Sequence, residues 1–182
     1  MQKGLPIRPS HHMAAEMLQV HNVLLRGMNS IYLQATGVEK TASPGVVRDF
    51  VSYAGVWAQL VEEHHSTEET LVFPELEALL AAPGLMAGNV AQHRAFHAGL
   101  DAYDAYVRAV LAGTEAYDGV RFRAIIDGFM PALREHLSDE IDTLLRLQEH
   151  EDKADLAAWC ADIVKRLGAR VQDPEIKVRL CA

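Results

Sequence analysis

The sequence has little of what usually assigns a chain quickly. It has two cysteines, Cys160 and Cys181, without Cys-x-x-Cys spacing, so neither a disulfide framework nor a cysteine metal site is expected. Basic charge is in deficit: 17 Lys and Arg stand against 25 Asp and Glu, for a formal net charge of −8. No local basic stripe offsets this, which argues against a nucleic-acid partner. No apolar run approaches the roughly 18 residues of a membrane-spanning helix, and the opening MQKGLPIRPSHHMAAEML has no uninterrupted apolar core of a signal peptide. The expectation is a cytoplasmic protein with no membrane association. Strand-type alternation, internal repeats and low-complexity segments are also missing, which removes β and solenoid architectures.

What remains is helical. With 49% hydrophobic residues in 182, the chain has enough apolar material for one sizeable core. Ser10 can cap a first helix ending near Gly37, with Met17, Leu18, His21, Leu24, Leu25 and Met28 on one face at steps of three and four. Ser43 and Pro44 form a cap and first turn for a second helix, and Pro74 predicts a kink or break before PELEALLAA ends it at Pro83 and Gly84. A third helix is expected over 85–112. A fourth runs from after Asp118 and Gly119 to about residue 150, with a bend at Pro131. The segment DKADLAAWCADIVKRLGAR supplies a shorter fifth helix, and the tail through Pro174 is weakly specified. The fold class is all-α, an up-down-up-down antiparallel four-helix bundle over residues 1–150, with residues 151–182 as a C-terminal helix and tail packing on it or extending it.

The histidines are unevenly placed for a chain of this composition. Each long helix has one near its middle: His21; His64 with Glu68; His93 with His97; His136 with Glu140. Residues i and i+4 share a helix face about one turn apart, so each pair can reach a common centre. With nine histidines and 25 acidic residues, one such pair is unremarkable; three pairs on three helices plus a fourth histidine are not. The heights agree as well: about 15 residues follow His97 in its helix and about 17 precede His136 in the next. All seven positions sit on faces that also hold apolar residues, where carboxylates and imidazoles are costly to bury unless paired or bound to a cation. Five imidazoles and two carboxylates exceed one tetrahedral zinc but suit two first-row ions, with two irons the best guess.

The segment from His64 to Pro74, HHSTEETLVFP, resembles the H-x-x-x-E-E-x-x-x-F-P signature of the hemerythrin-like (HHE cation-binding) family. The set His, His-x-x-x-Glu, His-x-x-x-His, His-x-x-x-Glu follows that family's order over roughly residues 10–150. The doubled letters offer two registers, His64 with Glu68 or His65 with Glu69, and counting back ten from Pro74 favours the first. The resemblance implies His21, His64, His93, His97 and His136 as terminal ligands, Glu68 and Glu140 as bridging carboxylates, and a solvent-derived oxo or hydroxo bridge between two non-haem irons. One departure stands out: oxygen-carrying hemerythrins have an aspartate five residues beyond the helix-four histidine, where this chain has Ile141. Its carboxylate comes one position earlier as Glu140, with Asp139 as an alternative, which weakens the inference to simple reversible oxygen carriage.

The implied partner is dioxygen or a related diatomic, bound for storage, sensing or oxygen-linked chemistry. The alternative is a diiron oxidase or monooxygenase acting on a small organic substrate, and metal handling without gas chemistry is a third reading. No catalytic side chain is implied beyond the ligands. Asp101 and Asp104 could hold a ligand imidazole, and Leu133 and Trp57 could line a dry pocket. His11 and His12 read as solvated, and His150 ends helix four, where a cation suits the helix dipole. Arg94 after His93 excludes the His-Glu-x-x-His zinc protease pattern, and helix four has no Glu-x-x-His of the ferritin-like kind.

Overall fold

Every regular element in the computed structural model, which describes residues 8–41 and 43–171, is a helix. Four long helices form the body: α1 (Pro9–Thr41), α2 (Pro44–Thr67), α4 (Ala87–Leu111) and α5 (Gly119–Arg146). A π turn, Glu68–Val72, joins α2 to the short α3 (Phe73–Leu79); a 3-10 turn, Leu147–His150, follows α5, and α6 (Leu156–Val171) ends the described chain. Cys181 and the tail through Pro174 lie outside the described residues.

Cross-helix contacts set the directions. Along α1 and α5, the Tyr117 hydroxyl donates to the Ala35 carbonyl near one end, His21 meets the Leu137 carbonyl midway, and Ser10 donates to Glu151 at the other end. Trp57 Nε1 donates to Leu24 O and Tyr103 OH to Ala54 O, while His21 meets His64, and His93 meets both His65 and His136. In each pair of neighbours one number rises as the other falls, so the four helices form an antiparallel ring in the order α1, α2, α4, α5.

Local chemistry explains the element ends. Asp118 caps α5 by accepting from the backbone N–H of Val120 and Arg121, both at 2.9 Å, which satisfies two otherwise orphaned donors. Gly113, at φ 70°, ends α4 in the left-handed region open to glycine. Gly119 permits the close crossing of α5 over α1, since a Cβ there would overlap the Ala35 carbonyl. The first helix runs past Gly37 to Thr41, because a glycine on an exposed face weakens a helix without ending it. Pro131 is likewise carried inside one continuous α5.

Pro74 produces the expected irregularity in a particular form. Proline has no N–H to donate to the preceding turn, and the strain is taken up by a π turn in which Phe73 N–H bonds back to Glu68 O. The extra residue in that turn puts Val72 and Phe73 both against the core, 8% and 3% exposed. Such π turns occur often at functional positions.

The buried apolar residues divide into two clusters. One fills the end of the bundle around Ile31, Ala54, Trp57, Tyr103 and Phe122. The other lies at the opposite end, where Leu156, Cys160 and Ile163 of α6 pack on Val72, Phe73, Leu76 and Leu144. Leu18, expected on the inward face of the first helix, is instead exposed. Between the clusters lies a polar layer.

Candidate metal centre

The polar layer is built where the inward stripes of four helices cross. Seven side chains converge there in two groups, His65, Glu68, His93 and His136 in one and His21, His64, Glu68 and Glu140 in the other, with the donor atoms of each group within 4.8 Å of one another. Glu68 belongs to both. One of its oxygens, Oε1, lies 3.2 Å from His64 Nε2, and the other, Oε2, lies 3.5 Å from His93 Nε2 in the opposite group. Glu140 is similarly placed, with Oε2 3.1 Å from His21 Nε2 and 3.9 Å from His136 Nε2.

The rings are held so that nitrogen lone pairs point inward. His21 Nδ1 lies 2.8 Å from the Leu137 carbonyl, which can only accept, so Nδ1 bears a proton and Nε2 is the ring atom turned toward Glu140. His93 Nδ1 donates to Glu69 Oε1 at 2.7 Å, leaving its Nε2 toward Glu68 and His136. Such outer partners fix tautomer and ring orientation in metal sites. On that basis Glu69→Gln should weaken metal binding by about 10- to 100-fold without abolishing it, measured by competition against a chromophoric chelator; an unchanged affinity would show that Glu69 does not orient His93.

Buried polar atoms normally have hydrogen-bond partners, and here many have none. Nε2 of His21 and His64, both ring nitrogens of His65, Nδ1 of His136 and all four oxygens of Glu68 and Glu140 are buried without a hydrogen bond. The electrostatics point the same way. Burial, then the neighbouring His21 and His93, push His64 down from 6.5 to about 3. His136 falls to about 2, chiefly by burial and then by His93, and His65 is pushed down further still by burial and His64. Burial also lowers His93, against the opposing pull of Glu69. Glu68 moves the other way, held well above the usual carboxylate range by burial and by the charges of Glu140 and Glu69. Imidazoles held toward their neutral form around two carboxyls without hydrogen bonds fit a cation-binding site, because a cation supplies a partner to one atom of each of these residues.

One expected ligand stands elsewhere. The His97 side chain is 53% exposed and bonds to Asp101 at 3.1 Å, on the outer face of α4. The buried residues of α4 are Asn89, His93, Phe96, Leu100, Tyr103, Tyr106 and Val107, a stripe that passes beside His97. Its place is filled by His65, whose ring centroid lies 4.5 Å from that of His93 and 5.0 Å from that of His136. The choice between His64 and His65 was therefore not exclusive: adjacent residues on α2 reach opposite sides of Glu68, one into each group. Glu69, the other half of the rejected register, serves His93 from outside. Asp101 holds only the exposed His97, while Asp104 pairs with Arg108. Asp139 bonds to Gln92 on the surface, and Trp57 and Leu133 belong to the apolar cluster.

A cavity of about 920 Å³ adjoins the layer and reaches His64, Glu68 and Glu140. It lies on the side facing α6. No helix among the described residues is long and apolar enough to cross a membrane.

Comparison with known proteins agrees with this geometry. Residues 12–148 match the hemerythrin HHE cation-binding domain. A curated relative, the dimeric xanthone biosynthesis cluster protein R11 of Cryptosporiopsis sp. (strain 8999), is 39% identical over 147 residues, covering 81% of this chain and 54% of that protein. The chain thus spans about half the length of that relative. No solved structure matches significantly.

Proposed function

The chain belongs to the hemerythrin HHE cation-binding family, and from that premise we propose that it holds two irons and binds dioxygen at them. The observation that carries this reading is the sharing of Glu68 between two four-residue donor groups. Nitrogen and carboxylate donors without thiolate suit first-row ions that prefer more than four ligands. His65, His93 and His136 would hold one ion and His21, His64 and Glu140 the other, with Glu68 between them. Two ferrous ions there would supply electrons for the reduction of dioxygen. The protein's own part is to orient the imidazoles through Leu137 O and Glu69 and to flank the donor groups with two apolar clusters.

A second reading, oxidation of an organic substrate, is favoured by the cavity that touches His64, Glu68 and Glu140, and the relative's association with a biosynthesis cluster supports it. The test is anaerobic loading with two equivalents of ferrous iron, followed by oxygen and then by purging, with the optical spectrum recorded throughout. A charge-transfer band that vanishes on purging means reversible binding. Irreversible conversion to a ferric product means oxidase or oxygenase chemistry. Failure to take up iron would overturn both readings.

A further inference from the structure

The donor groups are complete within residues 12–148, but the cavity beside them is not. Its outer wall is α6, which begins at Leu156, beyond the segment shared with the family. Trp159, Ile163 and Leu167 of α6 line the space together with Met13 and Met17 of α1 and with Phe73. The helix is fixed there by polar contacts as well as packing. Arg166 donates to both oxygens of Glu75 at 2.8 and 2.5 Å, and Trp159 Nε1 donates to Glu75 Oε2 at 3.1 Å. Glu75 lies in the first turn of α3, which directly follows the π turn that begins at Glu68, so α6 is tied to the helix that continues from the donor groups.

The lining specifies the occupant's chemistry. Its apolar part is made of methionine, tryptophan, phenylalanine and branched aliphatic side chains, and two methionines on one wall adapt to varied apolar shapes. At 920 Å³ the space is at the upper end of the roughly 300–1,000 Å³ usual for small-molecule pockets. Its charged lining is all acidic, including Glu16, Glu62, Glu63, Asp101 and Asp104, and among the described residues no lysine or arginine contributes. A phosphate, sulfate or carboxylate would have no counter-charge here and would face repulsion from several carboxylates. Val20 and Val164, 41% and 59% exposed, leave an apolar mouth open to solvent.

We propose that α6 converts the family's metal-binding bundle into a site for an uncharged, predominantly apolar organic molecule, held against the His64, Glu68 and Glu140 edge of the donor groups. What happens to that molecule rests on the metal reading above; its binding does not. The test uses two fluorescent probes of one skeleton, neutral N-phenyl-1-naphthylamine and anionic 8-anilinonaphthalene-1-sulfonate, titrated into the folded protein with metal content measured separately.

The neutral probe should bind at one equivalent, and the sulfonate at least about tenfold more weakly. Val164→Trp, at an exposed lining position that leaves the core alone, should weaken the neutral probe by about tenfold or more, and the buried Ile163→Trp likewise. Leu33→Trp, exposed on α1 outside the cavity, should change nothing. Glu63→Lys should narrow the gap between the probes. If the neutral probe fails to bind, or binds Val164→Trp as it binds the parent, the inference is overturned even where two metal equivalents load. Equal affinity for both probes overturns the charge selection. If the neutral probe binds as expected and no metal loads, the cavity stands and the metal reading falls.

Discussion

Glu68→Leu abolishes metal uptake in both donor groups and leaves the metal-free protein at least as stable as the parent. Both halves follow from the position of one side chain. Glu68 is the single residue common to the two groups, so its loss removes a ligand from each and the only link of that kind between them. In the metal-free chain the same carboxyl is 2% exposed with neither oxygen hydrogen-bonded. Replacing buried, poorly satisfied charge by apolar side chains is commonly neutral or stabilising, by about 1–4 kcal/mol. Denaturant unfolding of the metal-free proteins, with elemental analysis after loading, tests the two halves independently. A parallel pair of variants tests the placement of His65 on α2, rather than His97 on α4, among the donors: His65→Ala should lose about one equivalent of metal, and His97→Ala should keep both. Metal lost with His97 and retained without His65 would overturn the ligand set.

The second large effect is a loss of metal-free stability in acid, to which the imidazoles and Glu68 contribute with opposite signs. In the folded state His64 and His136 are held down at about 3 and about 2, with His65 also lowered, while in the unfolded chain they take up protons near 6.5. As pH falls below 6.5 the unfolded chain gains protons that the folded chain refuses. The stability present above 6.5 is therefore lost progressively toward pH 3, at about 1.4 kcal/mol per pH unit for each such group. Glu68 acts in the opposite sense: its folded-state value is raised, so its contribution is present below 4.5 and is lost as pH rises through the folded value. Between 4.5 and 6.5 three imidazoles outweigh one carboxyl, and acid destabilises the metal-free protein.

Metal reverses the role of Glu68. Burial holds His64, His65, His93 and His136 toward the neutral form that binds a cation, whereas it holds Glu68 toward the protonated form, which must lose its proton to bind one. Calorimetric loading in two buffers of different ionisation enthalpy should therefore show release of at most about one proton, and Glu68→Leu should show no loading heat at all. Release of several protons would mean that the imidazoles are charged before metal arrives.

Much of this was legible in the chain because helices announce themselves locally. The three-and-four spacing of apolar residues, Ser43 with Pro44, Asp118 with Gly119 and the breakers at Pro83, Gly84 and Gly113 mark four long helices without reference to one another. Four-residue pairs such as His64 with Glu68 and His136 with Glu140 need only the pitch of a helix. Even the two departures left local traces. Val51, Ala54, Ala58 and Val61 lead at steps of three and four to His65 and Glu68, and Phe50, Trp57 and Val61 lead to His64, so the inward stripe of α2 is two residues wide. On α4 the stripe through His93, Phe96, Leu100, Tyr103 and Val107 leaves His97 among Asp101 and Asp104.

Other features were settled only by the packed structure, because they depend on distances between residues far apart in the chain. Which of nine histidines share a centre, and that Glu68 lies between two groups, depend on the heights at which four helices cross. The holding of His93 by Glu69 and of His21 by the Leu137 carbonyl are contacts across helices with no spacing rule to reveal them. Pro74 predicted a break, but its form as a π turn depends on α3 having a core to continue against. The cavity exists only because α6, an amphipathic helix with no motif of its own, folds back to Glu75 and closes one side of the site. Local pattern along the chain specifies a helical bundle carrying buried imidazoles and carboxylates; the packing of the helices selects which of them meet and what space is left beside them.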